Sequence, residues 1–260
     1  MSADDEKKMS LFDHLIELRN RLILSVAVLL IAFVVCYAFA EQIFGFLVQP
    51  LAKIYDEQTG RRLIYTGLTE VFLTYVKVAF FAALCLSFPV IAGQIWAFVA
   101  PGLYRHEKKV FLPFLTASPI LFLAGAMLAY YGVIPLAWQF FLSFETPNAV
   151  NGLPIQLEAK VSEYLSLVMK LMFAFGLCFQ LPIVLTLLAR VGAVSAAGLA
   201  AKRKYAMIGI FIMAAILTPP DVISQVALAL PMLALYELSI VAVRLVERRR
   251  RQRDSKAAAD

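Results

Sequence analysis

Six long apolar runs constrain this chain more than any other feature of its sequence. They fall at about 22–40, 71–100, 110–137, 161–189, 205–217 and 222–243. A run of about 20 apolar residues is the length of helix that crosses a hydrocarbon core, and in that medium the backbone must satisfy its own hydrogen bonds, which leaves helices or closed barrels. The spacing therefore predicts an all-α, polytopic membrane protein, a six-transmembrane-helix bundle. Composition agrees: 62% of residues are hydrophobic and 16% charged, with a mean hydropathy of +0.79, whereas soluble domains are roughly 45–50% apolar and about 25% charged.

Orientation follows from the basic residues, which short loops retain on the cytoplasmic side. With the N-terminus inside, 18 of the 24 Lys and Arg residues fall in cytoplasmic segments and four (Lys53, Arg61, Arg62, Lys160) fall outside. Lys77 and Lys170 lie within spans. The expectation is N-in and C-in, with 1–21 a cytoplasmic amphipathic N-terminus, 22–243 the transmembrane domain and 244–260 a disordered basic tail. Leu11, Leu15, Leu18 and Leu22 form an apolar stripe beside Asp13, Glu17 and Arg21, which predicts a separate surface-lying helix before the first span. No small-x-small site closes the first run at Ala40-Glu41, so that run reads as a retained span and not a signal peptide. The Arg-rich tail suits contact with anionic lipid headgroups; nucleic acid is not an expected partner.

The last two runs depart from the pattern. The fifth, 205–217, is held between the Lys202-Arg203-Lys204 cluster and Thr218-Pro219-Pro220-Asp221. Its 13 residues make about 20 Å of helix against a core of about 30 Å. The sixth carries Pro231 and Glu237, and both are expected to be short or distorted spans.

Catalytic residues are not expected. The two histidines, His14 and His106, lie in cytoplasmic segments, and no GxSxG, HExxH or P-loop spacing occurs. Cys36, Cys85 and Cys178 sit singly within apolar runs and read as small buried hydrophobes, so neither a metal site nor a cofactor is predicted. Polar groups inside spans carry more information, because they are costly in lipid and face a cavity or a partner. Lys77 can snorkel to the outer surface. Lys170 lies about ten residues from the outer end of its span, which suits packing into the bundle or a wet hollow better than lipid. Gln180, immediately before Leu181-Pro182, makes a local polar spot beside a carbonyl that proline frees. Two cytoplasmic acids, Glu17 and Glu107, are embedded among basic residues; local pairing, as of Glu17 with Arg21 at i+4, is the simplest reading.

Several long segments together resemble the TatC family, the receptor subunits of the twin-arginine protein translocase. They are HLIELRNRL (14–22), Gln49-Pro50-Leu51, Lys77 after Leu73-Thr74, QIWAFVAPGLYRHEKK (94–109), AFGLCFQLPI (174–183) and ILTPPDVISQ (216–225). The resemblance implies a non-enzymatic receptor of the cell inner membrane that recognises signal peptides with two consecutive arginines. With TatA- and TatB-type single-span partners, and self-association in a larger complex, it would move folded proteins on the protonmotive force. Carried over by position, Glu17 and Glu107 would bind the signal peptide, supported by Arg19 and Phe98. Pro50, Lys77 and Asp221 match sensitive outer-side positions, and Thr218 and Gln225 match a polar patch for partner helices. The family usually has Glu where this chain has Gln180, and an amide cannot relay a proton. The main competing expectation, a six-helix secondary transporter with a polar site at Lys170 and Gln180, predicts an internal repeat; none is visible in the motifs or loop lengths.

Overall fold

Helix accounts for nearly all of the described chain, which in this computed structural model comprises residues 11–55, 62–99, 108–150, 153–190, 192–217 and 222–257. In order, α1 is Leu11–Ala38, α2 Ala40–Tyr55, α3 Glu70–Val99 and α4 Lys108–Leu128. A π-helical turn, Ala129–Val133, joins α4 without a break to α5, Ile134–Leu142. A small antiparallel hairpin follows, β1 (Thr146–Val150) with β2 (Leu153–Ile155). Then come α6 (Val161–Cys178), α7 (Leu181–Arg190), α8 (Ala196–Ala201), α9 (Arg203–Leu217) and α10 (Val222–Ala257).

Five stretches are long and apolar enough to cross a membrane: His14–Ala38, Glu70–Phe98, Leu115–Leu142, Val161–Arg190 and Gln225–Arg248. The remaining apolar run forms α9, at 15 residues the short one. The expected shortness is confined to α9, because α10 is 36 residues long with Pro231 inside it. That helix also continues through the basic segment after Val243, and Glu247 there accepts a hydrogen bond from the backbone N–H of Ala196 at 2.9 Å. At the other end, the amphipathic stripe is no separate surface helix. It is the first part of α1, since nothing between Leu11 and Ala38 (no Gly, no Pro) interrupts the helix. The short hairpin is a small addition to a fold that is, as expected, almost entirely helical.

The chain divides into two compact units, residues 1–43 with 76–119, and 44–75 with 120–260. In the first, α1 and α3 are antiparallel neighbours, as the Phe33–Phe80 ring contact near one end and the Arg21–Gln94 hydrogen bond near the other require. Val78, Ala79 and Ala83 of α3 are fully buried, small side chains of the kind that let membrane helices approach closely.

In the second unit, α10 packs on α7, α8 and α9. Its core gathers Ala129, Val133, Phe175, Ile210, Ala214, Leu228, Ala229 and Met232. Glycines set the closest approach. A Cβ on Gly125 of α4 would lie 2.5 Å from the Phe175 carbonyl oxygen of α6, and one on Gly176 would lie 2.5 Å from the Phe122 ring. Pro50 is buried inside α2, where it lacks the N–H that would reach the Phe46 carbonyl. Tyr130 of the π turn donates to that carbonyl instead, at 2.5 Å, and Tyr164 of α6 donates to the next one, Leu47, at 2.9 Å. The start of α3 is capped by its own Glu70, which accepts the Thr66 and Gly67 N–H groups at 3.0 and 3.2 Å and the Ser162 hydroxyl at 2.5 Å. Arg203 and Glu237 pair through two contacts, 2.7 and 2.8 Å, and tie α9 to α10.

Candidate functional site

In the first unit the polar end of α1 lies against the last turns of α3. Arg21 donates to Glu17 Oε1 through Nε at 2.9 Å and Nη2 at 2.6 Å, and its Nη1 reaches Gln94 Oε1 at 3.1 Å. Both charged side chains are partly shielded, at 26% and 21% exposure for Arg21 and Glu17. The local i, i+4 pairing that the spacing suggests is therefore present, and it is extended to a second helix. One helical turn earlier, the His14 ring stacks on Phe98, with centroids 4.2 Å apart and planes 18° from parallel. The Gln94 amide thus holds the guanidinium that pairs with Glu17, and the His14–Phe98 stack joins the same two helices. Charge-assisted pairs of this kind favour one planar geometry. Both bonds fall on Glu17 Oε1, and among the described residues no donor reaches Oε2.

The other predicted positions distribute as follows. Arg19 is exposed, and among the described residues it contacts the neighbouring Asn20 side chain, at 3.3 and 3.4 Å. Glu107, Thr218 and Asp221 lie outside the described residues. Pro50 occupies the carbonyl-and-tyrosine arrangement of the second unit. Gln180, 9% exposed, sits where α6 gives way to α7 and donates to the Gly176 carbonyl at 3.4 Å. Gln225 donates through Nε2 to the Phe211 carbonyl of α9 at 3.2 Å. Lys77 on α3 and Lys170 on α6 are both exposed, and Lys170 is not packed into the bundle. The buried faces of α6 are filled by Leu165, Val168, Leu171 and Phe175, which leaves the lysine the outward side. Among the described residues no group of three or more His, Cys, Asp or Glu could hold a metal ion.

The matches to known proteins cover nearly the whole chain. A family model described as "Sec-independent protein translocase protein (TatC)" matches residues 13–231. The chain belongs to the TatC family. A protein of that name from Magnetococcus marinus is 49% identical over 255 residues, 98% of this chain and 91% of its own length. The one from Escherichia coli K12 is 39% identical over 240 residues, 92% of this chain and 89% of its own. A crystal structure described as the twin arginine translocase receptor TatC superposes with a TM-score of 0.78 at 38% identity, covering 90% of this chain and 99% of that one.

As a TatC-family member the chain is a multi-pass membrane protein and a translocase component, in a family of transport proteins and not of known enzymes. Several residues that organise this TatC-family chain escape a reading of sequence alone. Gln94 lies inside a family-like segment, but its contact is 73 residues away at Arg21. His14, read only as a polar cytoplasmic residue, is the stacking partner of Phe98. Tyr130 and Tyr164 carried no signal at all, since each is one aromatic among many in an apolar run.

Proposed function

We propose that this chain is the receptor and core subunit of the twin-arginine translocase. In the inner membrane, with six spans and both ends cytoplasmic, it binds signal peptides carrying paired arginines at Glu17 and Glu107. Arg19 and Phe98 support that site. Partners of TatA and TatB type, together with further copies of this chain, complete an assembly that exports folded proteins on the protonmotive force.

The observation that carries this reading is the guanidinium already seated on Glu17. Arg21 approaches the carboxylate through two nitrogens that share Oε1, which shows that a guanidinium fits against this acid, and the unused Oε2 allows a second guanidinium to share it. The Phe98–His14 stack beside it offers an apolar surface for the segment that follows paired arginines in a signal peptide. On the second unit, Gln225 and Thr218 are the proposed contact for a partner's transmembrane helix. The amide Nε2 of Gln225 is committed to Phe211, so its Oε1 is the acceptor on offer.

The test is binding of a twin-arginine peptide and its twin-lysine counterpart to wild type, Glu17→Gln and Glu107→Gln. Each loss of a charge-assisted pair at a partly wet site costs about 1.5–3 kcal/mol, or about ten- to a hundredfold in Kd. The arginine peptide is expected to weaken by that factor in each variant and the lysine peptide by much less. Equal weakening of both peptides by both variants would mean that the carboxylates do not read arginine.

A further inference from the structure

We propose that the outward face of α6 around Lys170 docks a partner transmembrane helix that carries a carboxylate at matching depth. This site is distinct from the Thr218 and Gln225 patch, and it stands independently of how signal peptides bind.

The argument begins with depth. The start of α6 is a polar end, where Lys160 pairs with Glu163 and Ser162 reaches Glu70. Lys170 lies seven residues beyond Glu163, about 10 Å further along a helix at 1.5 Å per residue, within a 30-residue apolar stretch. A lysine near a helix end escapes the hydrocarbon by snorkelling, but here the polar end lies two full turns away. The side chain is exposed, and among the described residues no carboxylate, carbonyl or hydroxyl pairs with it or bonds to it. An unpaired ammonium at that depth is costly, and such residues pair with an opposite charge or a polar partner.

The acids within the chain's own five long apolar stretches do not supply that partner, in this copy or in a second one. Within the five long apolar stretches they are Glu17, Glu70, Glu163, Glu237 and Glu247. Each is engaged: Glu17 by Arg21, Glu70 by Ser162 and backbone N–H groups, Glu163 by Lys160, Glu237 by Arg203, and Glu247 by the Ala196 N–H. The short α9 contains no acid. Charge complementarity therefore points to a different chain. Ser166, half-buried and one helical turn before the lysine on the same side of α6, suits such a contact, because a small hydroxyl side chain permits close helix approach and hydrogen-bonds across the interface.

The full chain reconstituted in vesicles, with labelled leucine-rich transmembrane peptides bearing one central Glu, Gln, Lys or Leu, tests this by energy transfer. The Glu peptide is expected to associate about five- to thirtyfold more tightly than the Leu peptide, the range that model-peptide polar contacts support in membranes. Lys170→Met should abolish that preference, and Lys170→Glu should transfer it to the Lys peptide. A gain of binding by the charge-reversed variant cannot come from misfolding. Equal association of the Glu and Leu peptides with wild type, or a Glu preference that survives Lys170→Met, overturns the proposal. So does a Lys170 effect that follows the vesicle's content of anionic phosphatidylglycerol and not the peptide, since the ammonium would then be meeting lipid phosphate.

Discussion

Pro50 removes one donor from α2, and a tyrosine far along the chain restores it. The Tyr130 hydroxyl replaces the missing N–H at the Phe46 carbonyl, and the Tyr164 hydroxyl serves Leu47. In a membrane protein freed carbonyls of this kind must find a neighbour. Tyr130→Phe and Tyr164→Phe are each expected to lower stability by about 0.5–1.5 kcal/mol, read as a lower midpoint of thermal unfolding in detergent. Pro50→Ala returns an N–H to the Phe46 carbonyl, so the Tyr130→Phe penalty should shrink in that background; an unchanged penalty would mean that the hydroxyl is not standing in for the lost donor. A proline can be read off the sequence, but its tyrosine neighbours cannot, because they lie 84 and 117 residues from the carbonyls they bond. The same contrast holds at the candidate site. The Glu17–Arg21 pair follows from a local spacing of four, whereas Gln94 meets Arg21 only because α1 and α3 run antiparallel.

Helices α4 and α6 touch through glycine, and the two sides of that contact differ in how far they can give. A methyl group on Gly125 would meet the Phe175 backbone, which moves only with the whole helix, while one on Gly176 would meet the Phe122 ring. Overpacking of a filled interior costs about 1–3 kcal/mol. Gly125→Ala should fall at the upper end of that range and Gly176→Ala lower, compared by denaturant midpoint in detergent; the reverse order would place the rigid contact at the ring. The ends of α9 could be read directly from the sequence, since a cationic cluster and a double proline bound it. The unbroken course of α1 could not, because an amphipathic stripe followed by an apolar run is the pattern both of one long helix and of a surface helix joined to a span. At about 22 Å α9 is shorter than a hydrocarbon core of about 30 Å, so a spin label at Ile216 should be reached by water-soluble relaxation agents. Burial of that label at the depth of mid-span positions in the other helices would exclude local thinning of the bilayer.

The distribution of charge along the chain makes an orientation prediction. With 18 basic residues assigned to one side and four to the other, a cysteine placed at Asn151 in a background lacking Cys36, Cys85 and Cys178 should be labelled only from outside, and one at Gln252 only from the cytoplasm. Labelling of Asn151 from the cytoplasm alone would invert the topology. The long apolar spans are legible because lipid imposes one rule along the whole sequence; the small hairpin and the capped start of α3 are not, since they arise from contacts between segments. The continuity of α10 has a mechanical consequence. From Pro231, a point at which helices bend, the helix extends 17 residues to Arg248, an arm of about 25 Å. A flexure of about 20° at that hinge swings the arginine end by roughly 9 Å. A small disturbance near Gln225 would thus be delivered as a large stroke at the far end, with Glu237 and Glu247, whose contacts reach Arg203 and Ala196, as the brakes.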